Sequence, residues 1–306
     1  MAVQLGLQIP RFDDRNGVDN LFPAVAEQTT EAEAAGFDAV FVMDHFYQLP
    51  ILGVPTDPML EAYTTLGALA ALTERIQLGA LVTGNTYRNP AMLAKVITTL
   101  DVISQGRAIL GMGTGWYELE HDQLGYEFGT FTERFAKLDE ALQIVVPMIE
   151  GQRPTFTGRY YHVTDALAEP RLRPRIPLLI GGSGEKKTIP LAASRFDHLN
   201  LVCGFDELPA KVAAIQRSCE KIDRDPGTLE TSVLLTTIVG ERISPDLLPP
   251  GAAQRILTGN AEQIAEQIRD NVLAAGISGV VLNVANYQPG TLHELAAQIR
   301  PLLDEA

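Results

Sequence analysis

Sulfur and indole are scarce in this chain: two cysteines, Cys203 and Cys219, and one tryptophan, Trp116, stand among 306 residues. No Cys-x-x-Cys spacing occurs, which excludes a thiolate zinc site and a disulfide framework and leaves two reduced, buried thiols. No other metal site is expected. Positive charge is short as well. Lys plus Arg is 24 against 38 Asp plus Glu, a net charge of −14, which argues against nucleic acid or an anionic membrane as partner. The opening MAVQLGLQIP has neither the basic region nor the apolar core of a signal peptide, so a cytoplasmic location is expected. Gly-x-Ser-x-Gly, His-Glu-x-x-His and Walker patterns are missing too, which removes the common hydrolase, zinc peptidase and NTPase readings. With those gone, the chemistry is expected to belong to a bound organic cofactor acting on a small molecule.

What is present is apolar and periodic. Hydrophobic residues make up 46% of the chain, ample for a sizeable core. Eight short β-rich runs recur: Val3–Ile9, Ala39–Met43, Ile76–Val82, Ala108–Met112, Pro177–Ile180, His198–Val202, Val233–Val239 and Gly279–Val284. Helical patterns separate them, among them Asn20–Ala35 before Gly36, Thr64–Leu72, Ala91–Ile103 after Asn89-Pro90, Thr132–Ile149 and Ala261–Ala274. Continuous apolar strands alternating with helices predict an α/β fold, a (β/α)8 TIM barrel, in one domain over residues 1–306. Two stretches interrupt the alternation. Residues 151–174 are polar and Pro-rich with a hairpin pattern at Thr155–Val163, an insertion expected at the C-terminal face where lids reside. Residues 241–259 read as a second loop excursion.

In a parallel barrel the chemistry gathers at the carboxyl ends of the strands. The residues there are Asp44-His45, Thr83-Gly84-Asn85, Gly113-Thr114-Gly115-Trp116-Tyr117, Gly181-Gly182-Ser183-Gly184, Cys203-Gly204 and Ala285-Asn286. His45 is a candidate proton donor or acceptor with a neighbouring carboxylate, or a structural cap. Gly181-Gly182-Ser183-Gly184 follows a strand and opens a helix, the pattern of a phosphate site, although a tight turn also calls for glycine. Lys186 and Lys187 read as solvated helix charges. Gly111-Met112-Gly113-Thr114-Gly115 lacks the spacing of a dinucleotide fingerprint. Trp116 is a candidate for stacking on a planar ring or for ordinary packing. His121 has no partner at metal-ligand spacing and reads as a structural hydrogen-bonding group.

Taken together, Gly6–Pro10, Phe37–Phe46, Leu110–His121, Glu133-Arg134-Phe135 and Ile180–Thr188 resemble the luciferase-like monooxygenase superfamily, and within it the oxidoreductases that use the deazaflavin coenzyme F420. The resemblance implies a tricyclic ring held near Asp44, His45 and Thr83, and its phosphate at Gly181, Gly182, Ser183 and Gly184. It also implies a ring backed by Ala80, Leu81 and Val82, with a non-proline cis peptide at Leu81-Val82. His45 would then be the proton-transferring catalytic residue, and Gln8, Trp116 and Tyr117 would line the substrate pocket. A homodimer is implied in the same way. Two positions depart from the deazaflavin sugar-phosphate dehydrogenases, which carry a Trp where this chain has Tyr47-Gln48-Leu49 and a Glu where it has Trp116. The expected function is therefore F420-dependent hydride transfer to or from a small organic substrate that is not a sugar phosphate. An FMN-dependent monooxygenase served by a separate flavin reductase is the alternative, and a non-catalytic flavin-binding protein is a third.

Overall fold

A computed structural model describes residues 3–12, 17–248 and 251–305. In chain order the strands are β1 (Leu5–Ile9), β2 (Ala39–Val42), β3 (Gln77–Ala80), β4 (Thr83–Gly84), β5 (Ala108–Gly113), β6 (Phe156–Thr157), β7 (His162–Val163), β8 (Leu178–Gly181), β9 (His198–Leu201), β10 (Glu230–Val239), β11 (Ile256–Gly259) and β12 (Gly279–Val284). The helices are α1 (Leu21–Ala35), α2 (Ala62–Leu72), α3 (Pro90–Ile103), α4 (Glu118–Leu124), α5 (Phe131–Ile149), α6 (Thr188–Arg195), α7 (Leu208–Glu220), α8 (Ala261–Asn271) and α9 (Thr291–Asp304). Each of the eight expected runs holds a strand, and this alternation with parallel pairing is that of the (β/α)8 TIM-barrel class. None of the described helices is long and apolar enough to cross a membrane.

Two compact units emerge, one of residues 1–10, 23–41 and 178–306, the other of residues 11–22 and 42–177. In the first, β12 pairs in parallel with β1 and with β10, β10 with β9, and β9 with β8. Leu5, Leu7, Val280, Val281 and Leu282 are all fully or nearly fully buried. These strands are covered on both faces, and that is why they read as apolar runs without alternation. The helices around them are stopped and started by local chemistry. Asn260 and Gln263 form a reciprocal cap at the start of α8, and the Glu31 carboxylate accepts the Leu292 amide at the start of α9.

In the second unit β5 pairs in parallel with β3 and β4. Asn89 caps α3 with Pro90 in its first turn, and Thr130 and Glu133 form a capping box on α5. The hairpin expected at Thr155–Val163 is the antiparallel pair β6 and β7. Its turn is held by one residue of α5, because the Glu140 carboxylate accepts the amides of Arg159, Tyr160 and Tyr161 at 2.8, 2.8 and 3.1 Å.

Some boundaries differ from the sequence expectation. The third run, Ile76–Val82, holds β3 and leaves the strand at Leu81-Val82, whose peptide is cis; β4 begins just beyond the run. The excursion at 241–259 is not loop throughout. Its last four residues form β11, paired with the end of β10, while residues 249–250 lie outside the described residues. The last helix turn expected at Ala261–Ala274 is a separate 3-10 turn, Leu273–Ala275.

Candidate active site

The second unit presents Asp44 and His45 directly after β2, and the two side chains do different work. Asp44 is buried. Its carboxylate accepts Arg88 Nη1 at 2.6 Å, Arg88 Nη2 at 2.9 Å and the Gly84 amide at 2.9 Å. Arg88 Nη2 also reaches Glu61 at 2.6 Å, and its guanidinium lies over the Tyr63 ring at 4.9 Å. Burial works against the charge on Arg88, but the Asp44 hydrogen bond and charge outweigh it and hold the guanidinium above its usual range. Asp44 is thus a fixed anchor for the loop that follows β4. Thr83 is buried in the same place, its hydroxyl 2.7 Å from the Tyr63 hydroxyl. Burial, then the Asp44 charge, pushes the Tyr63 phenol up, so it stays protonated.

The carboxylate partner of His45 is Glu120, on α4. His45 Nδ1 lies 2.9 Å from Glu120 Oε2, while Glu120 Oε1 accepts the Phe46 and Tyr47 amides at 2.5 and 2.9 Å. The Tyr87 hydroxyl donates to Oε2 at 2.5 Å. Burial raises the Glu120 carboxyl, but the bonds from His45, Tyr87 and the backbone outweigh it and the net direction is down. Glu120 is therefore ionised and accepts only, so Nδ1 carries the imidazole hydrogen. The other ring nitrogen, Nε2, makes no hydrogen bond among the described residues. A His whose tautomer is set by a buried carboxylate and whose second nitrogen is left over is built for proton transfer.

Trp116 and Tyr117 flank that imidazole. The Trp116 ring stands edge-on at 5.7 Å and the Tyr117 ring at 5.9 Å, and the two aromatics are 5.4 Å apart. Trp116 is 58% exposed, so core packing is not its role. Tyr117 is buried against Met43 and Leu49, and its hydroxyl has no hydrogen-bond partner among the described residues. His121 is structural, as its spacing suggested. Nδ1 sits 2.8 Å from the Tyr117 carbonyl and Nε2 2.7 Å from the Thr86 hydroxyl.

The glycines of Gly111-Met112-Gly113 have a packing cause. A Cβ on Gly111 would lie 2.1 Å from the Ala80 carbonyl oxygen, and one on Gly113 2.6 Å from Val82 Cγ2. They let β5 run tightly against the Ala80-Leu81-Val82 segment, where Ala80 and Leu81 are buried. Arg134 then ties the following turn down, donating to the carbonyls of Gly115 and Gly129.

In the first unit, Gly181-Gly182-Ser183-Gly184 joins β8 to α6. Gly182 has φ +130°, and a Cβ there would meet only Thr188, at 3.4 and 3.7 Å. Ser183 Oγ accepts the Val202 amide at 2.9 Å. Lys187, at the N-cap of α6, makes no side-chain capping bond; the Ile189 amide already donates to the Gly184 carbonyl at 3.0 Å and Pro190 has no N–H, so it is the glycine-rich turn, more than the first turn of the helix, that leaves room for an anion. Lys186 is exposed. Gln8 is buried on β1, and Cys203 and Cys219 are buried free thiols. Among the described residues no cluster of His, Cys, Asp and Glu could hold a metal ion.

Sequence reasoning missed Glu120, Tyr87, Arg88 and Tyr63. A signal for Glu120 was present, since Tyr117, Glu120 and His121 at i, i+3 and i+4 share one helix face.

Comparison with known proteins now places the chain. Residues 8–244 match the luciferase-like monooxygenase family, and the chain belongs to that family. It is 40% identical over 158 residues to an F420-dependent glucose-6-phosphate dehydrogenase of Microbacterium testaceum (strain StLB037), covering 51% of this chain and 46% of the relative. The chain thus spans about half the length of the curated relatives it matches. Among solved structures, an F420-dependent secondary alcohol dehydrogenase in complex with an F420-acetone adduct superposes with a TM-score of 0.83 at 20% identity, over 99% of both chains. A riboflavin lyase with modified FMN and riboflavin gives 0.82 at 15% identity, over 100% of this chain and 92% of that one. At such identities these two likenesses speak for the barrel fold.

Proposed function

We propose that this chain is an F420-dependent oxidoreductase that moves a hydride between the deazaflavin and a small organic substrate, with His45 as general acid or base. The observation that carries the reading is the His45–Glu120 pair, Nδ1 held at 2.9 Å and Nε2 left unbonded beside an exposed Trp116. The F420-dependent relatives support the choice of cofactor.

One observation supports the fit of such a group. The open turn at Gly182, where a Cβ would meet only Thr188, suits a phosphate. When bound, the deazaflavin supplies or takes up the hydride, and the two electrons that leave one partner are those gained by the other. The rest is done by the chain. In the reducing direction His45 delivers a proton from Nε2 to the substrate oxygen, and in the oxidising direction Nε2 receives it. Glu120 keeps the ring from rotating and fixes its tautomer, Tyr87 and the Phe46 and Tyr47 amides hold Glu120, and Arg88 with Asp44 holds the loop that carries Tyr87. The cytoplasmic location and the homodimer expected from the sequence belong to the same reading, and light scattering checks the dimer.

The test is anaerobic turnover with reduced F420 and a panel of ketones, aldehydes and activated alkenes, in parallel with FMN under oxygen. Turnover by the parent chain and its loss in His45→Asn support the reading. Oxygen-consuming turnover with reduced FMN alone would replace it.

A further inference from the structure

We infer that the substrate of this site is an uncharged compound with a flat, aromatic or conjugated body beside its reacting carbonyl or hydroxyl. The inference rests on the F420 reading for the reaction and on three separate observations for the substrate. The first is electrostatic. The charged side chains around His45 are spent on one another or on the backbone: Arg88 on Asp44 and Glu61, Glu120 on His45, Tyr87 and two amides, Arg134 on two carbonyls and the Phe128 ring. When His45 is doubly protonated its charge is already matched by Glu120 at 2.9 Å, so a phosphate or carboxylate seated there would find no uncommitted cation among these side chains to repay its desolvation.

The second observation is Trp116. A 58%-exposed indole beside the proton-transferring imidazole offers a flat apolar face to a flat partner, with the buried Tyr117 ring, tilted 33° to it, packed next to it. The third is the Tyr117 hydroxyl, buried and, among the described residues, unpartnered in a cluster with Met43 and Leu49, against which Leu52 and Met59 pack. One O–H donor in an apolar setting is answered by one neutral oxygen, whereas a carboxylate would bring a full charge into it.

The experiment is equilibrium dialysis of the parent chain, alone and with F420 present, against acetophenone, 1-cyclohexylethanone and 4-acetylbenzoate at neutral pH. The three share one methyl ketone; 1-cyclohexylethanone differs from acetophenone in flatness and 4-acetylbenzoate in carrying a para carboxylate, whose added bulk is controlled with the neutral 4-acetylbenzamide. The expected result is acetophenone tighter than 4-acetylbenzoate by roughly tenfold or more, from the uncompensated charge, and tighter than 1-cyclohexylethanone by about two- to tenfold, from aromatic contact. Trp116→Ala should erase the second preference and Trp116→Phe should keep most of it. Equal or tighter binding of 4-acetylbenzoate, equal binding of the saturated ketone, or no binding of acetophenone in either condition would overturn the inference. The parent chain alone decides it, so a misfolded variant does not. F420 binding, followed by the coenzyme's own fluorescence, is scored separately, so a failed cofactor reading is told apart from a failed substrate class.

Discussion

Replacing Glu120 with Gln removes one charge and almost no volume, and its consequences can be worked from the site. In the parent, one oxygen takes the Phe46 and Tyr47 amides and the other takes His45 and the Tyr87 hydroxyl. The Gln carbonyl can keep the two amides, and Tyr87 can turn its hydroxyl to accept. His45 cannot keep its bond as it stands, because the new NH2 faces the N–H at Nδ1, so the ring must change tautomer or rotate. The charge-assisted bond is lost, worth about 1.5–3 kcal/mol. If that bond supports the transition state, kcat falls roughly 10- to 150-fold at 1.36 kcal/mol per decade. F420 affinity and KM should hardly move, since Glu120 touches neither ligand in this account. Steady-state kinetics with reduced F420 and a ketone, beside a fluorescence titration of F420, measure both quantities. Glu120→Asp should recover part of the rate by keeping the charge. A kcat for Glu120→Gln equal to the parent's, or a loss seen in KM alone, would refute the positioning role.

Other outcomes follow from the same contacts. His45→Asn should lower turnover by about 100-fold or more, the usual worth of a general acid or base, while F420 still binds; kinetics and titration together check it. Arg88→Met strands the buried Asp44 carboxylate and should cost about 3–5 kcal/mol of stability, read by chemical denaturation. Gly182→Ala places a side chain at φ +130°, which should destabilise by about 1–3 kcal/mol and weaken F420 binding, seen in thermal melts and titrations. Glu120 is held below its ordinary value of 4.5 in the folded chain, so the stability it contributes is present above that value and is lost as pH falls through the depressed one. Denaturation curves taken from neutral pH downward should therefore fall less steeply in Glu120→Gln than in the parent, and identical pH dependences would contradict the assignment.

The eight strands were legible because strands buried on both faces leave uninterrupted apolar runs, and Gly279–Val284 was located to the residue. β4 and β11 were not. Two residues after a cis peptide, and four at the end of a Pro-rich stretch, carry too little pattern to stand out. His45 could be named from its place after a strand, and Trp116 and Tyr117 from theirs. The groups that make His45 work are remote in sequence: Glu120 lies 75 residues on, and Arg88 lies 44 residues from Asp44. Only folding joins them, and a single sequence carries no mark of that pairing beyond the shared helix face of Tyr117, Glu120 and His121. Asp44 and Thr83, expected as contacts to a cofactor ring, have hydroxyl and carboxylate groups already engaged by Tyr63, Arg88 and Gly84, a structural use that their position after the strands did not distinguish. The glycines at 111 and 113 carry a similar lesson, since the close approach they permit is to the chain's own backbone and Val82.

The central claim is that a deazaflavin, and not FMN, is the partner of His45. The most direct measurement is a fluorescence titration of the purified parent chain with F420 and, separately, with FMN under the same conditions. The account predicts saturable F420 binding at concentrations where FMN does not bind. Saturable FMN binding with none for F420 would contradict it.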